Sequence, residues 1–255
     1  MATQSRVKSA ERTMDVLNLL ARMSTPLTTG EISEGVGMPK STTYHLLNVM
    51  QERRFVSYWD DHRVWTLGIA AFEVGSSYMR NDPLVREGHR FLQALTTKTG
   101  ATSHIAILQG SDVVYVDKWE PSTHGVRLVT DMGTRLPAHL TAVGRAILSR
   151  LSPEEVARIY DNYSWPTRTG EGPSSLAELQ SVLEQVREQG FAEEVGNTTD
   201  GIACVASPLR TSHGRIAASM GVAFLSSLAT PQALPEFRRA VLDTTDAFSA
   251  ALGAL

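Results

Sequence analysis

Among the 255 residues, side chains able to do chemistry are sparse and scattered. Cys204 is the single cysteine, and one thiol closes no intrachain disulfide and builds no multi-cysteine zinc site. His104, His139 and His213 stand far apart with no HExxH spacing, and neither a GxSxG elbow nor a phosphate-binding loop is present. A nucleophilic Cys204 needs a cation or base beside it, whereas a cysteine in an apolar stretch is more commonly a small hydrophobe. The denser constellation lies near the N-terminus. "MPKSTTYHLLNVM", Met38 to Met50, brings Lys40, Ser41, Thr42, Thr43, His45 and Asn48 into one short stretch without a carboxylate. Short donors and acceptors of this kind suit phosphates and base edges.

Elements on either side must position that stretch. Wound at about 100° per residue, Thr43, Leu46, Leu47 and Met50 share one side, and Ser41, His45 and Asn48 the other, flanked by Thr42 and Tyr44. Pro39 sits at the first turn, where its missing N–H is harmless. Upstream, Ser9 is placed to cap a helix carrying Val16, Leu19, Leu20 and Met23, which Ser24-Thr25-Pro26 ends. Thr28 and Glu31 have capping-box spacing for a second, short helix closed by Gly35 and Gly37. Downstream, Phe55 to Trp59 and Arg63 to Leu67 read as a hairpin turning at Asp60 and Asp61. Two helices around a Gly-containing turn, followed by a β-ribbon, predict a winged helix-turn-helix.

Leu67, Ala71, Val74 and Tyr78 then recur as a seam along a helix that Asp82-Pro83 ends, which predicts a linker over residues 68–83 between domains at 1–67 and 84–255. A helix from Leu84 to Lys98 leads to strands at 102–110, 111–120 and 124–130. Helices after Pro137 and from Ser174 to Gln189, strands over 202–209 and 215–225, and a last helix from Pro235 to Ala251 complete the chain. With no regular βαβ alternation, the fold class is α+β with an antiparallel sheet.

Composition narrows the function classes. The apolar share of 42% and charged share of 20% are those of a globular domain. No stretch reaches the roughly 18 uncharged apolar residues of a membrane span, and the first residues lack the apolar core of a signal peptide, so a cytoplasmic location is expected. The net charge of −3 argues against indiscriminate polyanion binding. Residues 1–80 nevertheless hold nine Lys/Arg against eight Asp/Glu, a balance that permits a local basic face.

"LTTGEISEGVGMPKSTTYHLL", "RFVSYWDDHRVWTLG", "LPAHLTAVGRAILSRL" and "GIACVASPL", in that order, resemble successive motifs of the IclR (isocitrate lyase regulator) family of bacterial transcription factors. The resemblance implies an N-terminal winged helix, a linker helix that pairs subunits, and a C-terminal effector-binding domain with a GAF-like fold. It also implies dimers or tetramers on a pseudo-palindromic double-stranded DNA operator, controlling a catabolic operon without a cofactor or metal. By position it puts Lys40, Ser41, Thr42, Thr43 and His45 in the recognition helix, with arginine usual in the family where His45 stands here. Arg6, Lys8 and Arg12 would form a basic arm and Arg63 a wing contact.

The same resemblance places effector contacts on Ala142, Val143, Glu194, Cys204, Gly221 and Ala223, with Thr141, His139 and the helix-start N–H groups as further donors. Relatives that take small oxoacids have a Gly-Ala pair at the first two positions and serines at the last two. Gly221 and Ala223 remove those hydroxyls, and a small buried carboxylate needs several convergent donors. The expectation is a strand side that is more apolar and opened in volume, suited to an aromatic or other larger organic acid. Two rivals stay open: an enzyme using Cys204 as nucleophile, and a winged-helix interaction adaptor that does not bind DNA.

Overall fold

The computed structural model describes residues 7–121, 131–210 and 218–253. Arg6, His213, the strand expected over 124–130 and the first residues of the one expected from 215 lie outside them. The chain divides into two compact units, Met1–Asn81 and Asp82–Leu255.

The N-terminal unit contains helices α1 (Lys8–Arg22), α2 (Thr29–Gly35), α3 (Lys40–Glu52) and α4 (Ile69–Asn81), with a small antiparallel sheet. Its strands β1 (Leu27–Thr28), β2 (Val56–Trp59) and β3 (Val64–Leu67) lie in the order β1-β3-β2. The capping box forms as expected: Glu31 N–H donates to Thr28 Oγ1 while the Glu31 carboxylate accepts from Thr28 N–H. Ser9 does not cap; α1 begins one residue earlier, and Ser9 uses its carbonyl to accept from Thr13 Oγ1. Val16, Ile32, Leu47, Val56 and Trp65 are buried together, and Trp65 Nε1 donates to Thr29 Oγ1 at 3.0 Å. Gly68 permits the turn out of β3, because a Cβ there would collide with the Arg54 carbonyl. The helix expected over 68–83 appears as α4, but Leu67 belongs to β3 and drops out of the seam. No α4 residue is buried, and Ile69, Phe72, Val74 and Tyr78 are exposed.

The C-terminal unit is built on a six-stranded antiparallel sheet, β6-β5-β4-β9-β8-β7. These strands are β4 (Thr102–Gln109), β5 (Asp112–Trp119), β6 (Arg135–Pro137), β7 (Ala192–Val195), β8 (Ile202–Leu209) and β9 (Ala218–Leu225). Helices α5 (Pro83–Thr99) and α9 (Ala233–Ala251) cover one face, where Ser103 Oγ donates to the Leu92 carbonyl and Phe91 stacks on Phe248. On the other face α6 (Ala142–Leu148) packs on β8 and β9, with α8 (Leu176–Gln189) against it. A short helix α7 (Pro153–Ile159) joins them. Every α6 side chain is buried, which explains its lack of a polar stripe. The last helix starts at Ala233, two residues ahead of the expected Pro235, since proline is tolerated within a first turn. The brief elements β1, β6, α7 and β7 had no counterpart in the sequence reading.

Candidate nucleic-acid interface and effector face

Pro39 is the N-cap of α3, so the helix begins at Lys40. Thr43, Leu47 and Met50 are buried, while Ser41, Thr42, Tyr44 and His45 face solvent and Asn48 is half-buried. Thr43 is a correction to the expected DNA contacts. It is wholly buried and its hydroxyl donates to the Pro39 carbonyl at 3.1 Å, so it holds the start of the helix from inside. The outward side carries no acidic residue in the first turn, and the Tyr44 and His45 rings meet edge-on at 6.2 Å. Lys40 lies across Gly30 of α2, where a Cβ would come within 3.3 Å of its Cε. Its ammonium lies near the start of α2 and remains exposed.

The remaining cations are spread. Arg12 is half-buried on α1, and Lys8 is exposed at that helix's start. Arg63 is exposed in the ribbon turn at φ 53°, next to Asp60 and Asp61. Those two carboxylates oppose phosphate at the tip and leave Arg63 to offset them. Arg53 and Arg54, exposed just past α3, and Trp59, half-exposed at the end of β2, join the candidates only in the structure. Their signal was only proximity to the reading helix.

In the C-terminal unit the register aligns residues far apart in sequence. One rung runs from Glu194 on β7 to Cys204 on β8, Ala223 on β9 and Thr102 on β4. The neighbouring rung runs Ala192, Ala206, Gly221, His104 and Lys118. Alternation along each strand puts both rungs on the α6 face, because Ser103 points the other way. Thr141 caps α6, accepting from the Gly144 N–H at 2.9 Å, and the Val143 carbonyl accepts from Ser219 Oγ on β9. The candidate residues Thr141, Ala142, Val143, Glu194, Cys204, Gly221 and Ala223 therefore lie on one sheet face and the helix covering it.

Two expectations change. Gly221 opens no volume, since a Cβ there would lie 2.6 Å from the Val205 carbonyl oxygen and 2.8 Å from the Ala206 Cβ. The neighbouring strand already fills that space. His139 is partly committed: its Nε2 lies 3.2 Å from the Pro166 carbonyl and its ring packs edge-on against Tyr160, Tyr163 and Trp165, while its buried Nδ1 has no partner among the described residues.

The electrostatics favour neutral groups. Burial raises the Glu194 carboxyl above its ordinary range, only partly offset by the Asn197 N–H that donates to it at 2.8 Å. Burial, with Glu194 beside it, pushes the Cys204 thiol well up, the opposite of what a nucleophilic thiolate needs. The Tyr115 hydroxyl is raised by burial and by Cys204 and Glu194. Nearby, Arg145 is buried with Nε donating to the His139 carbonyl at 2.8 Å and Nη1 to that of Glu193. Among the described residues no group of three His, Cys, Asp or Glu could hold a metal ion.

Comparison with known proteins decides what these two units are. The profile of the IclR helix-turn-helix domain matches residues 9–59, and that of the bacterial transcriptional regulator IclR C-terminal domain matches residues 76–250. The chain belongs to the IclR family. This IclR-family protein is 30% identical over 247 residues to the HTH-type transcriptional regulator XynR of Escherichia coli K12, covering 97% of this chain and 98% of that one. It is also 30% identical to the HTH-type transcriptional repressor AllR of Salmonella paratyphi A, covering 98% of this chain and 92% of the relative.

Solved structures share the fold. An IclR transcriptional regulator from Alicyclobacillus acidocaldarius superposes with a TM-score of 0.86 at 24% identity, covering 97% of this chain and 99% of the other. An IclR homologue from Microbacterium hydrocarbonoxydans complexed with 4-hydroxybenzoate gives 0.78 at 17% identity, covering 95% and 99%. The protein is thus an effector-responsive, DNA-binding transcriptional regulator. No helix among the described residues is long and apolar enough to cross a membrane.

Proposed function

We propose that α3 reads a pseudo-palindromic operator in the cytoplasm. In this reading Ser41, Thr42 and His45 face base edges or the adjoining phosphates, and Lys40, Arg12 and Arg63 engage the backbone. The observation that carries it is the outward side of α3, polar and free of carboxylates in its first turn while its inner side is locked into the core. Two copies pair through α4, whose exposed Ile69, Phe72 and Val74 suit an apolar contact between subunits, giving a dimer or a dimer of dimers. Their reading helices then meet half-sites about 34–36 Å apart or a multiple of this. An aromatic or other organic acid binds on the α6 face of the large sheet and shifts operator affinity by its differential affinity for two states. The raised thiol of Cys204 speaks against its use as a nucleophile.

Nuclease footprinting of the purified protein on DNA upstream of its own gene tests the first half. Protection of two symmetric half-sites is expected. Lys40→Ala should weaken binding to every sequence and lower the salt slope by about one. An unchanged slope would remove Lys40 from the interface, and no footprint would return the winged unit to a protein-interaction role.

A further inference from the structure

His104 is 3% exposed, and its Nδ1 has no hydrogen-bond partner among the described residues. A buried polar atom in that state is uncommon and calls for a partner, which a bound ligand can supply. His104 lies on the α6 face, paired with Gly221 on one side and Lys118 on the other. Its ring meets Tyr115 edge-on at 5.1 Å. Burial holds the imidazole neutral, with its pKa lowered to about 4. A neutral imidazole offers one donor and one acceptor.

We propose that His104 is a specificity-determining residue of the effector site, selecting aromatic ligands that carry a ring hydroxyl, which hydrogen-bonds to His104 Nδ1. The inference rests on reading this sheet face as the effector site. On this face Gly221, Ala206 and Ala223 carry no polar side chain, so a ring beside His104 would lie against backbone and methyl groups. A second carboxylate at this spot would face the Glu194 carboxyl with little compensation. Arg145 is committed to the His139 and Glu193 carbonyls, and Lys118, across from His104, is tied to Glu120 and Asp131. A hydroxyl both donates and accepts, so it can satisfy the imidazole and also a neighbouring carboxyl, thiol or phenol. A carboxylate could accept from those groups and from the N–H tautomer of the imidazole, but it would bury a charge whose nearby cations are already engaged.

The test is calorimetric titration of the full-length protein with matched pairs: 4-hydroxybenzoate against benzoate, and 4-hydroxyphenylacetate against phenylacetate. The hydroxylated member should bind at least tenfold more tightly in at least one pair. In His104→Leu that ratio should fall below threefold, and in His104→Gln, which keeps a hydrogen-bonding side chain, it should lie between. Because the readout is a ratio between two ligands, a general loss of packing does not mimic it, and His104→Gln carries the test if the leucine variant fails to fold. Ala223→Phe should abolish binding of both members.

A tenfold preference surviving in His104→Leu while Ala223→Phe still blocks binding would overturn the role of His104 and leave the sheet-face site standing. Binding indifferent to Ala223→Phe would overturn the site itself. Failure of all four compounds to bind, or binding without a hydroxyl preference, would overturn the ligand class.

Discussion

The reading helix and the effector face use similar residue types in opposite settings. On α3, Ser41, Thr42 and His45 stand in water with few ties inside the protein. On the large sheet, His104 and Glu194 are enclosed and Cys204 is half-buried, and burial sets their protonation. Polar groups in water lose little when left unpaired, so α3 can wait for DNA with its contacts unmade. Enclosed groups are expensive to leave unpaired, so the sheet face constrains closely what enters. Affinity in the first region is therefore tunable one side chain at a time, whereas the second couples ligand choice to stability.

The largest expected effect probes what holds α3 in place. Leu47→Ala removes a wholly buried side chain and should cost about 2–5 kcal/mol in chemical denaturation. A cost near zero would mean that the inner side of α3 is not packed as described.

Next comes pH. The folded pKa of His104 is lowered to about 4 from an ordinary 6.5, so its stabilising contribution is fully present above 6.5 and lost as pH falls toward 4. The loss should be about 3 kcal/mol. Glu194 acts with the opposite sign: its raised carboxyl favours the folded state below its ordinary value of 4.5, an advantage lost as pH rises through the folded value. Denaturation at several pH values should show the wild type losing stability between pH 7 and 4, with His104→Gln losing about 3 kcal/mol less. Equal losses would place His104 in a wetter site.

Thr42→Ala should relax preference at one base pair by about 1–3 kcal/mol, read by binding to a set of singly substituted operators. Uniform weakening would instead make Thr42 a phosphate contact. The smallest effect separates neighbours on one helix. Thr43→Val should leave operator preference unchanged and lower stability by about 1 kcal/mol through the hydroxyl lost from Pro39.

The two regions also differ in how far the sequence disclosed them. The face of α3 followed from the helical period, and the cap at Thr28 and the hairpin around Asp60 and Asp61 followed from local residue chemistry. Thr43 showed the limit of positional carry-over: the period put it inside, the resemblance put it at the DNA, and the structure buries it. The effector face depends on register, and the pairing of Glu194 with Cys204 and of Cys204 with Ala223 has no local signal. His104 looked like one scattered histidine until β4 was set beside β9. The slip between Ile105 and Ala106 against β5 and the brevity of β1 and β6 are set by tertiary contacts rather than by propensity. Gly221 was misjudged because an absent side chain opens space only where no neighbour has taken it.

The central claim is that a ligand held on the sheet face changes how α3 holds DNA. It is tested most directly by fluorescence anisotropy of the footprinted operator, titrated with full-length protein with and without saturating 4-hydroxybenzoate or whichever tested aromatic acid binds. We predict a shift in operator affinity of about 5–150-fold, absent in Ala223→Phe. An operator affinity that stays the same while calorimetry shows the ligand bound would contradict it.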